Sequence, residues 1–285
     1  MIMRTAITLK RRGSRPGTAL GRALRVDLRR AILSPRFILT VALLLLWLLF
    51  NGTFDIFLNK TLFTFGIPYV LNWATTGDYG LGMLNLVIAA LPFSASYLAD
   101  WECGFDRCAL GRTGLAAYAQ ARVIAVAISS FLAFWAAAGI FLAGLSLTGA
   151  PHTFPQLTGE YIDLAIQVGP WCYYLVRLTI SGLTCAMAGV FSLFFSTLIP
   201  NSYVAMLSPL AACNAYGIIM FLVTKIAGDG GIVRLFSLDY IISYQVSSLS
   251  GFSFLWAVVF QLTVIVLCGK GFSHRLRKEH GYEAV

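Results

Sequence analysis

Long apolar stretches recur along the chain and are separated by shorter polar segments. A helix needs about 20 mostly apolar residues to cross the roughly 30 Å hydrocarbon core of a bilayer. Six stretches meet that requirement, at residues 37–58, 81–98, 123–147, 172–198, 203–223 and 252–268. The pattern predicts an all-α polytopic membrane protein, with a six-helix transmembrane domain over 37–268 and flanking segments over 1–36 and 269–285.

The connections between these stretches differ in character. Pro200 and Asn201 lie in the short break between the fourth and fifth stretches, and they favour a tight turn. The segments 51–80 and 224–251 are partly apolar, which predicts short helices that rest on or dip into the outer leaflet. A backbone at membrane depth must be covered by protein, so we expect these segments to cap the bundle.

Composition agrees with a lipid environment. Hydrophobic residues make up 58% of the 285 residues and charged residues 12%, against about 25% charged residues in ordinary soluble domains. The mean hydropathy is +0.78. A soluble protein could not cover so much apolar surface with so little charge.

The distribution of basic residues predicts the orientation. Seventeen of the 21 Lys and Arg residues lie on one side: ten before the first stretch, three in the loop after the second and four in the tail. Lys and Arg are retained on the cytoplasmic face, so both termini are expected in the cytoplasm. The net charge of +9 is therefore interpreted as topology and contact with membrane lipids, not as a nucleic-acid surface.

The segment before the first stretch has a helical pattern of its own. Apolar residues recur every four positions with arginines beside them, which places the two kinds of residue on different helix faces. The predicted interfacial helix presents Leu20, Leu24, Leu28 and Ile32. Two interpretations remain open, a plain juxtamembrane anchor and a helix that also touches a cytoplasmic partner.

Sequence motifs for chemistry are missing from the chain. There is no GxxxxGK[ST] phosphate loop, no HExxH and no GxSxG. We therefore expect no catalytic residue, metal or cofactor in this chain. The ionisable residue Arg177 lies within the fourth stretch. It could extend back to the outer headgroups, pair with an acid such as Asp55, or line a translocation path.

The loop over residues 99–122 has mixed charge around apolar positions, as expected for a short amphipathic helix that docks into a groove of a soluble partner. A solvated loop bounded by topogenic charges is the alternative. The loop also resembles the coupling loop of ABC-2-type permease subunits, the membrane half of ABC exporters. The residues that carry this resemblance are Glu102, Gly104, Leu110, Arg112, Tyr118 and Arg122.

The resemblance implies a six-span permease of a bacterial cell membrane, exporting a lipid, a peptide or a hydrophobic drug. It implies two kinds of protein partner, ABC ATPase subunits that hold ATP and Mg²⁺, and a second permease subunit. Within the coupling loop, Phe105 or Leu110 would be the apolar anchor, and Glu102, Arg107 and Arg112 would hold the register. A membrane-embedded enzyme and a scaffold or immunity protein without transport activity are the alternatives.

Overall fold

The computed structural model describes residues 16–59, 66–76, 84–94, 96–152, 161, 166–228, 231–242 and 247–279. These residues form twelve helices, in keeping with the predicted all-α class. In chain order they are α1 (Pro16–Ile32), α2 (Pro35–Asn59), α3 (Ile67–Thr76), α4 (Leu84–Ala90), α5 (Ser96–Glu102), α6 (Phe105–Thr113), α7 (Leu115–Leu147), α8 (Pro170–Ser196), α9 (Ser202–Ala227), α10 (Gly231–Phe236), α11 (Leu238–Ile242) and α12 (Ser250–Glu279).

Five of these helices are long and apolar enough to cross a membrane. They are α2, α7, α8, α9 and α12, and they coincide with the first, third, fourth, fifth and sixth predicted stretches. By length and composition the chain is therefore a multi-pass α-helical membrane protein. The last helix continues to Glu279, so the predicted tail over 269–285 begins as helix.

The second predicted stretch, 81–98, is not one continuous helix. It is divided into α4 and α5 by a turn over residues 91–94. Pro92 lies in that turn, and proline lacks the N–H that an α-helix needs and clashes with the carbonyl four residues earlier. The prediction of this stretch did not include the turn, because hydropathy alone does not register a helix break.

The helix α8 lies at the centre of the bundle, where 72% of its membrane-length window is buried. Small residues bring it close to α7: a Cβ on Gly189 would lie 2.4 Å from the Ser130 Oγ and 3.2 Å from Val126 Cγ1. The main core is a cluster with members from α2, α3, α7, α8 and α12 that includes Leu48, Leu71, Phe134, Tyr173 and Ala257.

A second apolar cluster contains residues from both ends of the described chain. This base cluster includes Ala31 of α1, Tyr97 and Leu98 of α5, Leu110 of α6, Tyr118 of α7, and Phe272 and Leu276 of α12. The Tyr97 hydroxyl also donates a hydrogen bond of 2.7 Å to Glu279 Oε2. The helix before the first span and the end of the last helix therefore meet at the same end of the bundle.

The predicted features of the connections are present where the structure describes them. Asn201 caps α9 by accepting hydrogen bonds from the N–H groups of Tyr203, at 2.9 Å, and Val204, at 3.3 Å. This cap ends the tight turn after α8, because its side-chain oxygen satisfies N–H groups that a helix start leaves unpaired. Short helices are found in both partly apolar segments, α3 in one and α10 and α11 in the other.

Candidate functional site

The face that α1 turns towards the bundle differs from the predicted apolar stripe. Ala19, Asp27 and Ala31 are buried, whereas Leu20, Leu24, Leu28 and Ile32 are half-buried beside them. Leu24 and Leu28 pack against the base cluster. The predicted helix exists, but part of its apolar face is covered by its own chain because small alanine side chains let α1 approach closely.

At the centre of this contact is an ionic cluster formed by Asp27, Arg30, Asp100 and Arg122. Arg122 of α7 has no exposed side-chain surface. Its guanidinium forms an ion pair with Asp100 of α5, and its Nε lies 3.9 Å from Asp27 Oδ2 of α1. The cluster thus joins three helices that are far apart in the sequence.

Neutral groups complete the surroundings of Arg122. Its guanidinium donates hydrogen bonds of 2.9 Å to the hydroxyls of Ser96 and Tyr118. The same group lies over the rings of Phe93 and Tyr118, 4.8 Å and 5.2 Å from their centroids. A buried charge is tolerated only when it is paired and hydrogen-bonded, and this cation is both.

Asp100 is held from a second direction by Arg30. The two Arg30 Nη atoms donate to the two carboxylate oxygens, at 2.8 Å and 3.2 Å, in the bidentate geometry that gives Arg–carboxylate pairs their strength. Arg30 is 41% exposed at its side chain, and its guanidinium lies 5.2 Å from the ring centroid of Phe105. Through Arg30, the ionic cluster is thereby in contact with the start of α6.

The two carboxylates of the cluster have pKa values shifted in opposite directions. Burial would raise the pKa of Asp100, but hydrogen bonds and charge from Arg30 and Arg122 outweigh burial and lower it. For Asp27, burial dominates and raises the pKa against the charges of Arg122 and Arg30. The difference follows from geometry, since Asp100 accepts direct hydrogen bonds from both arginines and Asp27 lies 3.9 Å from its nearest partner. The ionised form of Asp100 is therefore the essential partner of Arg122.

The corner between α5 and α6 presents apolar side chains to the outside. Trp101 is 49% exposed and Phe105 is 48% exposed. Gly104 between them adopts a φ of 67°, a left-handed conformation that disfavours other residues, which explains a glycine at this corner. We name the segment Trp101–Phe105 the exposed corner.

The predicted coupling residues lie in different surroundings. Phe105, Glu102 and Arg112 are exposed. Leu110 is only 5% exposed and belongs to the base cluster, so it is not available as an anchor for a partner; the sequence-based assignment of Leu110 was wrong. The side chain of Arg107 lies outside the described residues.

Arg177 is buried within the protein. It is 1% exposed and donates hydrogen bonds to the Thr75 hydroxyl, at 3.2 Å, and to the Ile242 carbonyl, at 2.5 Å. These acceptors come from α3 and α11, the short helices in the two partly apolar connections. The Arg177 side chain is therefore enclosed by protein and hydrogen-bonded within the chain, while the expected partner Asp55 has a side chain outside those described. Contact of Arg177 with the outer headgroups stays a prediction.

Sequence reasoning missed Asp27, Arg30 and Asp100 as site residues and counted Arg122 with the loop. One signal was present for Asp27, because it occurs four residues after Ala23 and four before Ala31, in line with the small residues of α1. Asp100 gave no such signal, since its partners are 22 and 70 residues away.

Comparison with protein-family models, curated proteins and solved structures gives no match to this chain. Within the part of the chain that the structure describes, no three His, Cys, Asp or Glu side chains are grouped so that they could hold a metal ion.

Proposed function

We propose that this chain is the permease subunit of an ATP-driven ABC transporter, with ATP bound and hydrolysed on separate ATPase subunits. A second permease subunit, identical or homologous, completes the membrane domain. The substrate class is hydrophobic or amphipathic, which suits the apolar character of the helices, and the direction is export. The protein resides in the cell membrane of a bacterium.

The observation that carries this proposal is the exposed corner and its connection to the ionic cluster. An exposed aromatic pair on a short helical corner is the kind of anchor that fits a groove on a soluble partner. Arg30 touches Phe105 on one side and Asp100 on the other, and Asp100 is paired with buried Arg122. A push on the corner is therefore transmitted to α7 mainly through Asp100, which directly precedes the corner in the chain and whose buried pair with Arg122 separates only at high cost.

The proposed topology has six crossings with both termini in the cytoplasm. The sixth crossing is the predicted stretch 81–98, which contains α4 and the first three residues of α5. Ala89 of α4 belongs to the main core and Leu98 of α5 to the base cluster, which supports a passage along the bundle. An even number of crossings also agrees with the meeting of α1 and the end of α12.

The partner is tested by purifying the tagged full chain from its native host after crosslinking. A phosphate-loop ATPase should be recovered with it, and the complex should hydrolyse ATP. Phe105→Ala should lose at least about 2 kcal/mol of ATPase binding, a loss typical of a central interface anchor, while still inserting and folding. Leu33→Ala is the matched control, because Leu33 is 71% exposed and lies between α1 and α2.

The transport proposal fails if no ATPase is recovered with the wild-type chain. It loses its coupling element if Trp101→Ala and Phe105→Ala together leave complex formation and transport unchanged. Recovery of a soluble catalytic subunit of another class would favour the enzyme alternative. Recovery of an ATPase that supports no ATP-dependent transport would favour a scaffold.

Orientation is tested separately with reporter fusions to the full chain. Fusions in the α5–α6 corner and at the C-terminus should report the cytoplasm, and fusions within residues 160–167 should report the outside. A cytoplasmic signal from residues 160–167 would contradict the six-crossing topology, because the basic residues leave no other simple threading.

A further inference from the structure

A cavity of about 300 Å³ lies between α1, α6 and the start of α7, next to the ionic cluster. Three arginines line it, Arg22 and Arg30 of α1 and Arg112 of α6, together with the acid Asp27. In the described ion pairs Arg30 is bound to Asp100, and Arg122 faces both Asp100 and Asp27. Four arginines are thus set against two carboxylates in and beside the lining, and this net positive charge favours a bound anion.

The remaining walls are mostly apolar, and Thr113 and Tyr118 add hydroxyl groups to them. Ala19, Ala23 and Val26 contribute from α1, and Phe105 and Ala109 from α6. A site with a cationic rim and apolar walls suits a group that is anionic at one end and hydrocarbon at the other. Its volume is at the lower limit for small-molecule pockets, of about 300–1,000 Å³, so it suits a headgroup rather than a whole lipid.

The position of α1 indicates where such a group would come from. The helix is amphipathic, ends at Ile32 and is followed directly by the membrane-spanning helix that begins at Pro35. A basic amphipathic helix before a span lies at the level of the lipid headgroups, and anionic lipids concentrate there. Arginine is suited to them because its planar fork donates two hydrogen bonds to one phosphate.

We propose that the cavity between α1 and α6, lined by Arg22, Arg30 and Arg112, is a binding site for the phosphate headgroup of an anionic membrane lipid. The bound phosphate bridges α1 and α6. The lipid thereby fixes the distance between α1 and α6 next to the exposed corner. Lipid binding at this site does not require the ATPase partner, so it can be tested independently of the transport proposal.

Native mass spectrometry of the purified full chain, without ATPase or nucleotide, tests the site. Phosphatidylglycerol and phosphatidylcholine of the same chain length are added in turn. The wild-type chain should retain more phosphatidylglycerol than phosphatidylcholine. The double substitution Arg22→Gln with Arg112→Gln should weaken that binding roughly tenfold or more, since a charge-assisted hydrogen bond to the phosphate is lost at each position.

The matched control is Arg25→Gln with Arg29→Gln. Both residues are exposed on α1 outside the cavity lining, and the control removes the same net charge. It should keep the preference for phosphatidylglycerol. If it weakens binding as much as the cavity variant, the attraction is general electrostatics and the site is refuted.

A second arm distinguishes the source of the phosphate. Inorganic phosphate at equal concentration should not displace phosphatidylglycerol, because it lacks the part that packs on the apolar walls. Displacement would overturn the lipid assignment in favour of a soluble anion. The substitution Arg112→Lys keeps the positive charge but removes the planar guanidinium that can donate two hydrogen bonds to one phosphate. It should lower lipid binding without changing the thermal unfolding midpoint. Lipid binding at the wild-type level would contradict two-pronged recognition of the phosphate by Arg112.

Discussion

Arg122 and Arg177 are both buried inside helices of the same bundle, but their charges are accommodated differently. Arg122, with no exposed surface, has two carboxylates, Asp100 and Asp27, within ion-pair distance. Arg177, 1% exposed, has neutral acceptors that include the Thr75 hydroxyl and the Ile242 carbonyl. A buried arginine needs hydrogen bonds in either case. Removing an arginine that is paired with a carboxylate also leaves that carboxylate buried without its counter-charge.

The difference suggests different roles for the two arginines. Arg122 connects elements next to the exposed corner, where a rigid joint would transmit force into α7. Arg177 ties α8 to the short helices α3 and α11, where its hydrogen bonds hold the connecting segments over the main core. The following experiments compare the two sites.

The largest effect is expected from Asp100→Asn. The substitution removes the ion-paired partner of Arg122 and leaves Asp27, at 3.9 Å, as the nearest carboxylate. Breaking one side of a buried pair costs about 3–5 kcal/mol. The thermal unfolding midpoint of the purified protein should fall accordingly, and Asp27→Asn, the matched control, should lower it much less. Equal losses in the two variants would show that Asp27 and Asp100 support Arg122 alike.

Arg177→Met should have an intermediate effect. Methionine keeps much of the apolar volume, and the loss is confined to hydrogen bonds with acceptors such as Thr75 and Ile242. Such interactions inside membrane proteins are worth about 0.6 kcal/mol on average and up to about 1.7. The same unfolding measurement should place this variant between wild type and Asp100→Asn. A loss as large as that of Asp100→Asn would mean that Arg177 also balances a buried charge.

Arg30→Gln should cost less than either change. Arg30 pairs with Asp100 from the outer side, where 41% of its side chain is exposed, and exposed ion pairs contribute about 0–1 kcal/mol. Asp100 would still be paired with Arg122. A midpoint shift beyond that of Arg177→Met would place the main support of Asp100 on the exposed side of the cluster.

The smallest effect is expected from a pH change that titrates only part of the carboxyl groups, and its sign differs between Asp100 and Asp27. The lowered pKa of Asp100 means that its stabilisation is present above the ordinary carboxyl pKa of 3.8 and is lost as pH falls through the lowered value. The raised pKa of Asp27 means that its ionisation reduces stability as pH rises from 3.8 through the raised value.

Thermal midpoints measured from neutral to acidic pH separate these contributions. The deficit of Asp100→Asn relative to wild type should shrink on acidification, whereas Asp27→Asn should gain relative to wild type as pH rises. Parallel curves for the two variants would contradict the opposite pKa shifts.

The local pattern of the chain was sufficient for much of the fold. Five predicted spans, the interfacial helix and the Asn201 turn follow from hydropathy, spacing and capping chemistry, all of which act within a few neighbouring residues. Pro92 in the sequence also indicates the break in the second stretch, but a hydropathy average over about 20 residues does not resolve a break of this kind.

The candidate site depended on contacts between distant segments. Asp100 meets Arg30 across 70 residues and Arg122 across 22, and Leu110 is buried because α6 packs against α1, α5 and α7. Lipid as the solvent follows from the apolar composition of the chain. The packing of the helices determines which charges are buried and which aromatic residues stay exposed. The surroundings of a side chain depend on other helices, and the sequence of one helix does not indicate which helices will pack against it.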